Sequence, residues 1–192
     1  MIQPERIRLL NQRRTRAGRY VLYWMQASQR ATCNHALEYA ILQANEPRLP
    51  LVVFFGLTTR FPGANARHYA FMLEGLREVC RALEVRGIRM IVRATSPELG
   101  AVDLAGEAAL VVVDRGYLRL QRQWYAHVAE RIPCPLIQVE SNVVVPVETA
   151  SPKEEYSAAT IRRKIAERLD AYLLPLTETQ PVISAPYWDL ES

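Results

Sequence analysis

The chain has 192 residues, 49% of them hydrophobic, which favours one domain with tails and a sizeable core over two full domains. Its 24 basic and 20 acidic residues leave a formal charge of +4, a mild excess. No apolar run approaches the roughly 18–20 residues needed to cross a bilayer, and the basic start MIQPERIRLLNQRRTR is not followed by the apolar stretch and cleavage site of a secretory signal.

Six arginines crowd the first nineteen residues: Arg6, Arg8, Arg13, Arg14, Arg16 and Arg19. They read as a solvated face rather than an arm for nucleic acid. The next segment, Tyr20–Met25, is a short apolar, β-branched run. Similar runs follow at Leu51–Phe55, Ile88–Val92, Leu110–Asp114 and Leu136–Val139. Nearly continuous apolar character marks parallel strands covered on both faces. Helical segments separate them. Thr32–Ala44 puts Cys33, Leu37, Ala40, Ile41 and Ala44 on one face. Asn65 caps a helix with the stripe Tyr69, Met72, Leu76, Val79, Cys80 and Leu83, and Gly87 suits its left-handed end. Ser96-Pro97 starts a short helix, and Leu118–Arg131 carries Gln121, Trp124, Tyr125 and Val128. Strand and helix alternate five times. This predicts an α/β fold: a Rossmann-like, doubly wound, five-stranded parallel sheet over residues 1–150.

A C-terminal helix is predicted next. Ser151-Pro152-Lys153-Glu154 reads as a capping box that launches a helix to about Tyr172, within a segment 151–173. Its apolar stripe is Ala158, Ile161, Ile165, Leu169 and Tyr172; its charges pair as Lys164 with Glu167 or Arg163 with Glu167. A stripe that follows a finished sheet needs a partner, so a homodimer of the isolated chain is expected. Residues 174–192 read as a linker or tail.

The three cysteines, Cys33, Cys80 and Cys134, are scattered and form no CxxC; they read as buried thiols of a cytoplasmic protein. Neither GxGxxG nor GxxxxGK[ST] nor GxSxG occurs, and His35, His68 and His127 have no ligand spacing, so no metal or catalytic residue is assigned. In an open α/β sheet, ligands bind beyond the carboxyl ends of the strands, at the switch point. If the first predicted strand is central, the candidates are Met25, Gln26, Ala27, Gln29, Arg30, Asn34, Gly56, Leu57, Arg115, Gly116 and Tyr117. Gly56 and Gly116 would let backbone approach a flat ligand. Arg30 and Arg115 would meet an anion, and Tyr117 would stack on a ring. The same residues also suit turns and caps, and both readings stay open at this point.

Several of these pieces resemble the photolyase/cryptochrome family, and within it the class II DNA photolyases. They are Tyr23-Trp24-Met25-Gln26-Ala27-Ser28-Gln29-Arg30 through Asn34 and Ala36-Leu37, then Phe55-Gly56-Leu57, Arg67-His68-Tyr69, Phe71–Leu76, Asp114-Arg115-Gly116-Tyr117-Leu118, Glu155-Tyr156, Thr160-Ile161-Arg162 and Lys164-Ile165. Ser28 and Cys33 stand where many relatives have aspartate, and Arg163 where many have proline. The resemblance implies the N-terminal, antenna-bearing α/β domain of a light-driven enzyme that repairs cyclobutane pyrimidine dimers. It implies FAD in a separate helical domain, UV-damaged DNA bound through that domain, and a deazaflavin or folate antenna near the candidate residues. The FAD-binding helical domain would be the partner of this one, and the 192 residues alone are not expected to be catalytically competent. Two alternatives remain: a stand-alone nucleotide- or ligand-binding α/β module, and a cryptochrome-like light sensor.

Overall fold

A computed structural model describes residues 2–185. Six strands form one sheet: β1 (Ile7–Leu9), β2 (Tyr20–Trp24), β3 (Leu51–Gly56), β4 (Arg89–Arg93), β5 (Ala108–Asp114) and β6 (Leu136–Val139), ordered β1-β6-β5-β2-β3-β4. The last five are mutually parallel, with β2 at the centre. Successive β2 residues serve opposite faces. Val21 and Tyr23 pack with α1 (His35–Asn45) and α2 (Ala66–Val85). Tyr20, Leu22 and Trp24 pack with α3 (Pro97–Ala105) and α4 (Arg119–Arg131). Every β2 side chain is therefore buried, which is why its sequence shows no polar alternation. Each large apolar side chain so enclosed stabilises the fold by about 1.5–3 kcal/mol.

The predicted five-stranded parallel sheet is corrected to six strands, because β1 adds an antiparallel edge beside β6. Three residues are too short a run to show a period, and β1 lies inside the arginine-rich start. Arg6 explains its placement. The side chain is buried and donates to the carbonyls of Glu140, Val143 and Val144 and to Gln3. The other five arginines of the cluster are exposed, as a solvated face would have them, with Arg8 in a surface pair with Glu148 and Arg19 with Glu107; Arg6 alone departs from that reading.

Local signals place the helices well. Asn65 caps α2, accepting from the N–H groups of Arg67 and His68, and Gly87 has φ +72° just beyond its end. Only Leu76, Val79 and Leu83 of α2 are buried, so its first two and a half turns stand clear of the core. Helix α1 starts later than predicted, after Asn34. The cysteines differ from expectation: Cys134 is buried, Cys80 half-buried and Cys33 exposed.

The predicted helix from Pro152 to Tyr172 is three pieces of chain. A turn of helix, α5 (Val147–Ala150), precedes it, and residues 151–157 are irregular. Then come α6 (Ala158–Ala166) and α7 (Leu169–Tyr172). The Ser151 hydroxyl accepts from Lys153 N–H at 3.4 Å, but no helix continues from it; it also donates to Glu155 and accepts from Lys164, which itself pairs with Glu155. Ser157 caps α6 instead, accepting from Thr160 N–H. Lys164 is thus unavailable to Glu167, whereas the Arg163–Glu167 pair forms at 3.8 Å. Ile161, Ile165, Leu169 and Tyr172 are half-buried, and the Arg6 guanidinium lies over the Tyr172 ring.

The described part of the tail is strapped to the domain. Leu176 packs on the core beside α1 and α2. The Asn45 side chain donates to Gln180 O and accepts from Val182 N–H, and Ala185 N–H donates to Gly87 O. Glu38, buried on α1, pairs with Arg86 at 2.8 Å; Glu38 accepts from Thr179 N–H, and Arg86 donates to Thr179 O. The remaining tail, 186–192, lies outside the described residues.

Candidate functional site

The sheet order puts the switch point between β2 and β5, and the chain leaves both strands at the same end. Asp114, the last residue of β5, is fully buried there. Its carboxylate accepts three successive backbone N–H groups: Gln26 (3.1 Å), Ala27 (2.8 Å) and Ser28 (2.7 Å). The Tyr23 hydroxyl donates to it at 3.2 Å. Burial pushes the Asp114 carboxyl above its ordinary range, opposed by these hydrogen bonds. One side chain therefore sets the turn that follows β2.

Gln26 ties the same turn to β3. Its amide donates to Gly56 O at 3.0 Å, and its carbonyl accepts from Gly56 N–H and from the Trp24 indole. The two glycines have intramolecular roles that sequence could not show. A Cβ on Gly56 would lie 2.4 Å from Pro97 Cα at the start of α3, and one on Gly116 would lie 2.4 Å from the Gln121 side chain. At Gly56 close packing against the α3 backbone by itself requires glycine, whereas at Gly116 the neighbour is the end of the flexible Gln121 side chain; both also line the cleft.

Asn34 and Met25 are fully buried and do not line the open site. Asn34 caps α1 through Leu37 N–H, and its amide holds the Ser28 and Arg30 carbonyls. Arg30 donates to Ser141 O at 2.7 Å and to the Asn142 side chain at 2.8 Å. Arg115 pairs with Glu140 (3.4 Å) and Glu148 (3.0 Å) and lies 5.6 Å from the centre of the Tyr117 ring. The Tyr117 hydroxyl donates to Glu140 at 2.8 Å; burial and this bond push its phenol well above the ordinary range. Both arginines thus have internal partners.

Above this floor opens a cleft of about 600 Å³. Eight of the eleven sequence candidates line it: Gln26, Ala27, Gln29, Gly56, Leu57, Arg115, Gly116 and Tyr117; Met25, Arg30 and Asn34 lie outside its lining. The opposite wall escaped sequence reasoning. It comes from the loop after β3, with Thr58 and Phe61–Ala64, and from His68, Tyr69 and Met72 on the free half of α2. Leu118, Gln121 and Trp124 of the α4 side and Asn142 complete it. Phe61 and Trp124 pack against each other tilted by 58°, 6.5 Å between ring centres, and Trp24 meets Tyr125 edge-on at 5.5 Å beneath. The cleft can therefore take a flat, conjugated molecule between aromatic walls, with amide groups at its edge. Among the described residues no three His, Cys, Asp or Glu side chains are grouped to hold a metal, and no helix is long and apolar enough to cross a membrane.

The fold is a doubly wound α/β sheet with an aromatic-lined cleft at its switch point, and comparison with known proteins gives its family. The DNA photolyase family model matches residues 21–182. The chain is 53% identical over 177 residues to the deoxyribodipyrimidine photo-lyase of Methanothermobacter thermautotrophicus, covering 92% of this chain and 40% of that protein. It is 39% identical over 170 residues to the Potorous tridactylus enzyme of the same name, covering 86% of this chain and 31% of the relative. Among solved structures, the archaeal photolyase from Sulfolobus tokodaii, crystallised with two FAD molecules, superposes with a TM-score of 0.64 at 14% identity over 86% of this chain and 37% of that one. The chain belongs to the DNA photolyase family and carries its N-terminal α/β domain. It spans about two fifths or less of the length of these relatives.

Proposed function

We propose that this domain serves a light-driven DNA photolyase of class II character that repairs cyclobutane pyrimidine dimers, and that its cleft holds the antenna chromophore, a deazaflavin or another flat conjugated ring system. The observation that carries this reading is the cleft of about 600 Å³ at the switch point, walled by Phe61, Tyr69, Tyr117 and Trp124. FAD bound by the family's helical domain supplies the electron that splits the dimer. This chain's residues do different work. Gln26 and Gly56 fix the floor, the aromatic side chains would supply apolar contact to the chromophore, and Gln29, Gln121 and Asn142 would offer amides to its polar edge. The residues fit such a group because aromatic faces and amide edges match a fused ring carrying carbonyls.

The test is titration of a deazaflavin against the wild type and Met72→Trp, read by tryptophan fluorescence. Met72 sits on the part of α2 that has no fully buried residue, so a larger side chain fills the cleft without disturbing the core. Micromolar or tighter binding lost in the variant is expected. Equal affinity for both proteins would refute the site. Gly56→Trp is unsuitable as the blocking variant, since it would strike Pro97.

A further inference from the structure

A second groove, of about 440 Å³, adjoins the cleft and shares the Arg115–Tyr117 turn with it. Its character is opposite. The cleft has a single guanidinium, that of Arg115, in an otherwise aromatic and amide lining. The groove is lined by Arg8, Arg115, Arg122 and Lys153 against Glu148 and Glu154, with the buried Glu140 also on Arg115, which leaves a formal excess of one positive charge. Glu148 is shared between Arg8 at 3.4 Å and Arg115 at 3.0 Å, so it orients two cations as much as it neutralises them. Arg122 and Lys153 make no ion pair among the described residues, and both are exposed.

The groove is also built from far-apart segments. Arg8 comes from β1, Arg122 from the first turn of α4, and Lys153 from the irregular stretch after α5. That stretch is held by Ser151, Glu155 and Lys164, and Ser151 lines the groove. We propose that the groove receives the anionic end, a phosphate or carboxylate, of the molecule whose ring system occupies the cleft. The proposal rests on the reading of the cleft as a ring-binding site. A ligand with a flat ring and an acidic tail would lay its tail over the Arg115–Tyr117 turn. Arg115 stands at the junction, and Arg122 and Lys153 at the far side meet the charge. Charge-assisted hydrogen bonds from such groups favour an anion strongly over a neutral hydroxyl.

Riboflavin and FMN share one ring and differ by a terminal phosphate, so they separate the two sites. The 192-residue chain is titrated with each at low and at moderate salt, read by flavin fluorescence polarisation. FMN should bind about tenfold more tightly than riboflavin at low salt, with the advantage shrinking as salt rises. In Arg122→Gln/Lys153→Gln, two exposed changes that leave the core intact, the ratio should fall to about twofold or less. Pyrophosphate alone should displace FMN more readily than riboflavin from the wild type. Equal binding of the two flavins by the wild type, or an FMN advantage that survives in the double variant, would overturn the proposal and leave the cleft reading in place. Failure of both flavins to bind would overturn both. Duplex DNA that competes for the groove, with no preference for FMN over riboflavin, would assign it to a polymer backbone and also overturn the proposal.

Discussion

Replacing Asp114 by asparagine tests whether one buried carboxylate organises the switch point. The wild-type oxygens face Ala27 N–H on one side and Ser28 N–H and the Tyr23 hydroxyl on the other. An asparagine offers one oxygen and one NH2 in their place. If its NH2 points toward Ala27, two donors meet. If it points toward Ser28, Tyr23 can rotate to accept, but the Ser28 N–H cannot. Either way at least one buried N–H loses its acceptor, at about 1–3 kcal/mol. Removing the buried charge recovers some desolvation, in keeping with the upward push on the Asp114 carboxyl. The orphaned donor and the loss of two charge-assisted bonds outweigh that recovery, so a net loss of about 1–3 kcal/mol is expected. Against typical domain stabilities of about 5–15 kcal/mol the variant still folds. Urea denaturation should give a lower midpoint with an unchanged slope. Hydrogen exchange should rise most at Gln26, Ala27 and Ser28. Tyr23→Phe removes only one of the four donors and should cost less. A variant Asp114→Asn with the wild-type midpoint and protected 26–28 amides would refute the reasoning.

Burial and the nearby Arg6 and Arg30 hold the His35 imidazole down to about 4 from its ordinary 6.5. The folded state therefore keeps it neutral; its contribution is intact above pH 6.5 and is lost as pH falls through about 4. Thermal midpoints between pH 7 and 4 should fall less steeply in His35→Gln, and parallel curves would exclude this role. Arg86→Met leaves the Glu38 carboxylate, 2% exposed, without its partner and frees the Thr179 strap, at a cost of about 3–5 kcal/mol. Limited proteolysis should then cut within 174–185, and wild-type resistance would count against the strap. The stripe Ile161, Ile165, Leu169 and Tyr172 is half-buried, and self-association through it is the expectation to test. Sedimentation should show a concentration-dependent dimer weakened by Ile165→Glu with Leu169→Glu; a strict monomer at high concentration would exclude it.

The parallel strands were legible in the sequence because two-faced burial leaves unbroken apolar runs such as Leu51–Phe55. No strand order was legible; the condition that Tyr20–Met25 is central is met, since β2 lies between β5 and β3. Strand β1 was illegible because its pairing depends on Arg6 reaching carbonyls about 134–138 residues away. The Ser151 box misled because a capping signature is local, while Lys164 competes for the hydroxyl from thirteen residues on. In the site, the loops after β2 and β5 were identifiable from the switch-point rule. The Phe61–Met72 wall was not, because nothing in a stripe with i, i+3, i+4 spacing says how far a helix overhangs its sheet. Asn34 shows the reverse error: an asparagine three residues before Leu37 is a cap before it is a ligand group.

The two walls of the cleft differ physically, and that difference bears on how it binds. On the floor, side chains bond to main chain across three strands: Asp114 joins β5 to the turn after β2, and Gln26 joins that turn to β3. These bonds involve buried groups, so the floor is ordered before any ligand arrives, and little ordering entropy opposes binding there. The outer wall is different. Tyr69 is held to it by a hydrogen bond to Thr58 O at 2.8 Å, but no residue of α2 before Leu76 is buried. A segment with so few buried contacts opens at low free energy. If the cleft holds a ring as proposed, its identity is best read by the rigid floor, with the outer wall adapting to it. Substitutions at Gln26 should change which ring binds, whereas substitutions on α2 before Leu76 should change how long it stays, an outcome separable by equilibrium titration and stopped-flow dissociation. If Gln26→Leu altered only the dissociation rate and kept the same order of preference among flavin, deazaflavin and folate, the division between floor and wall would be wrong.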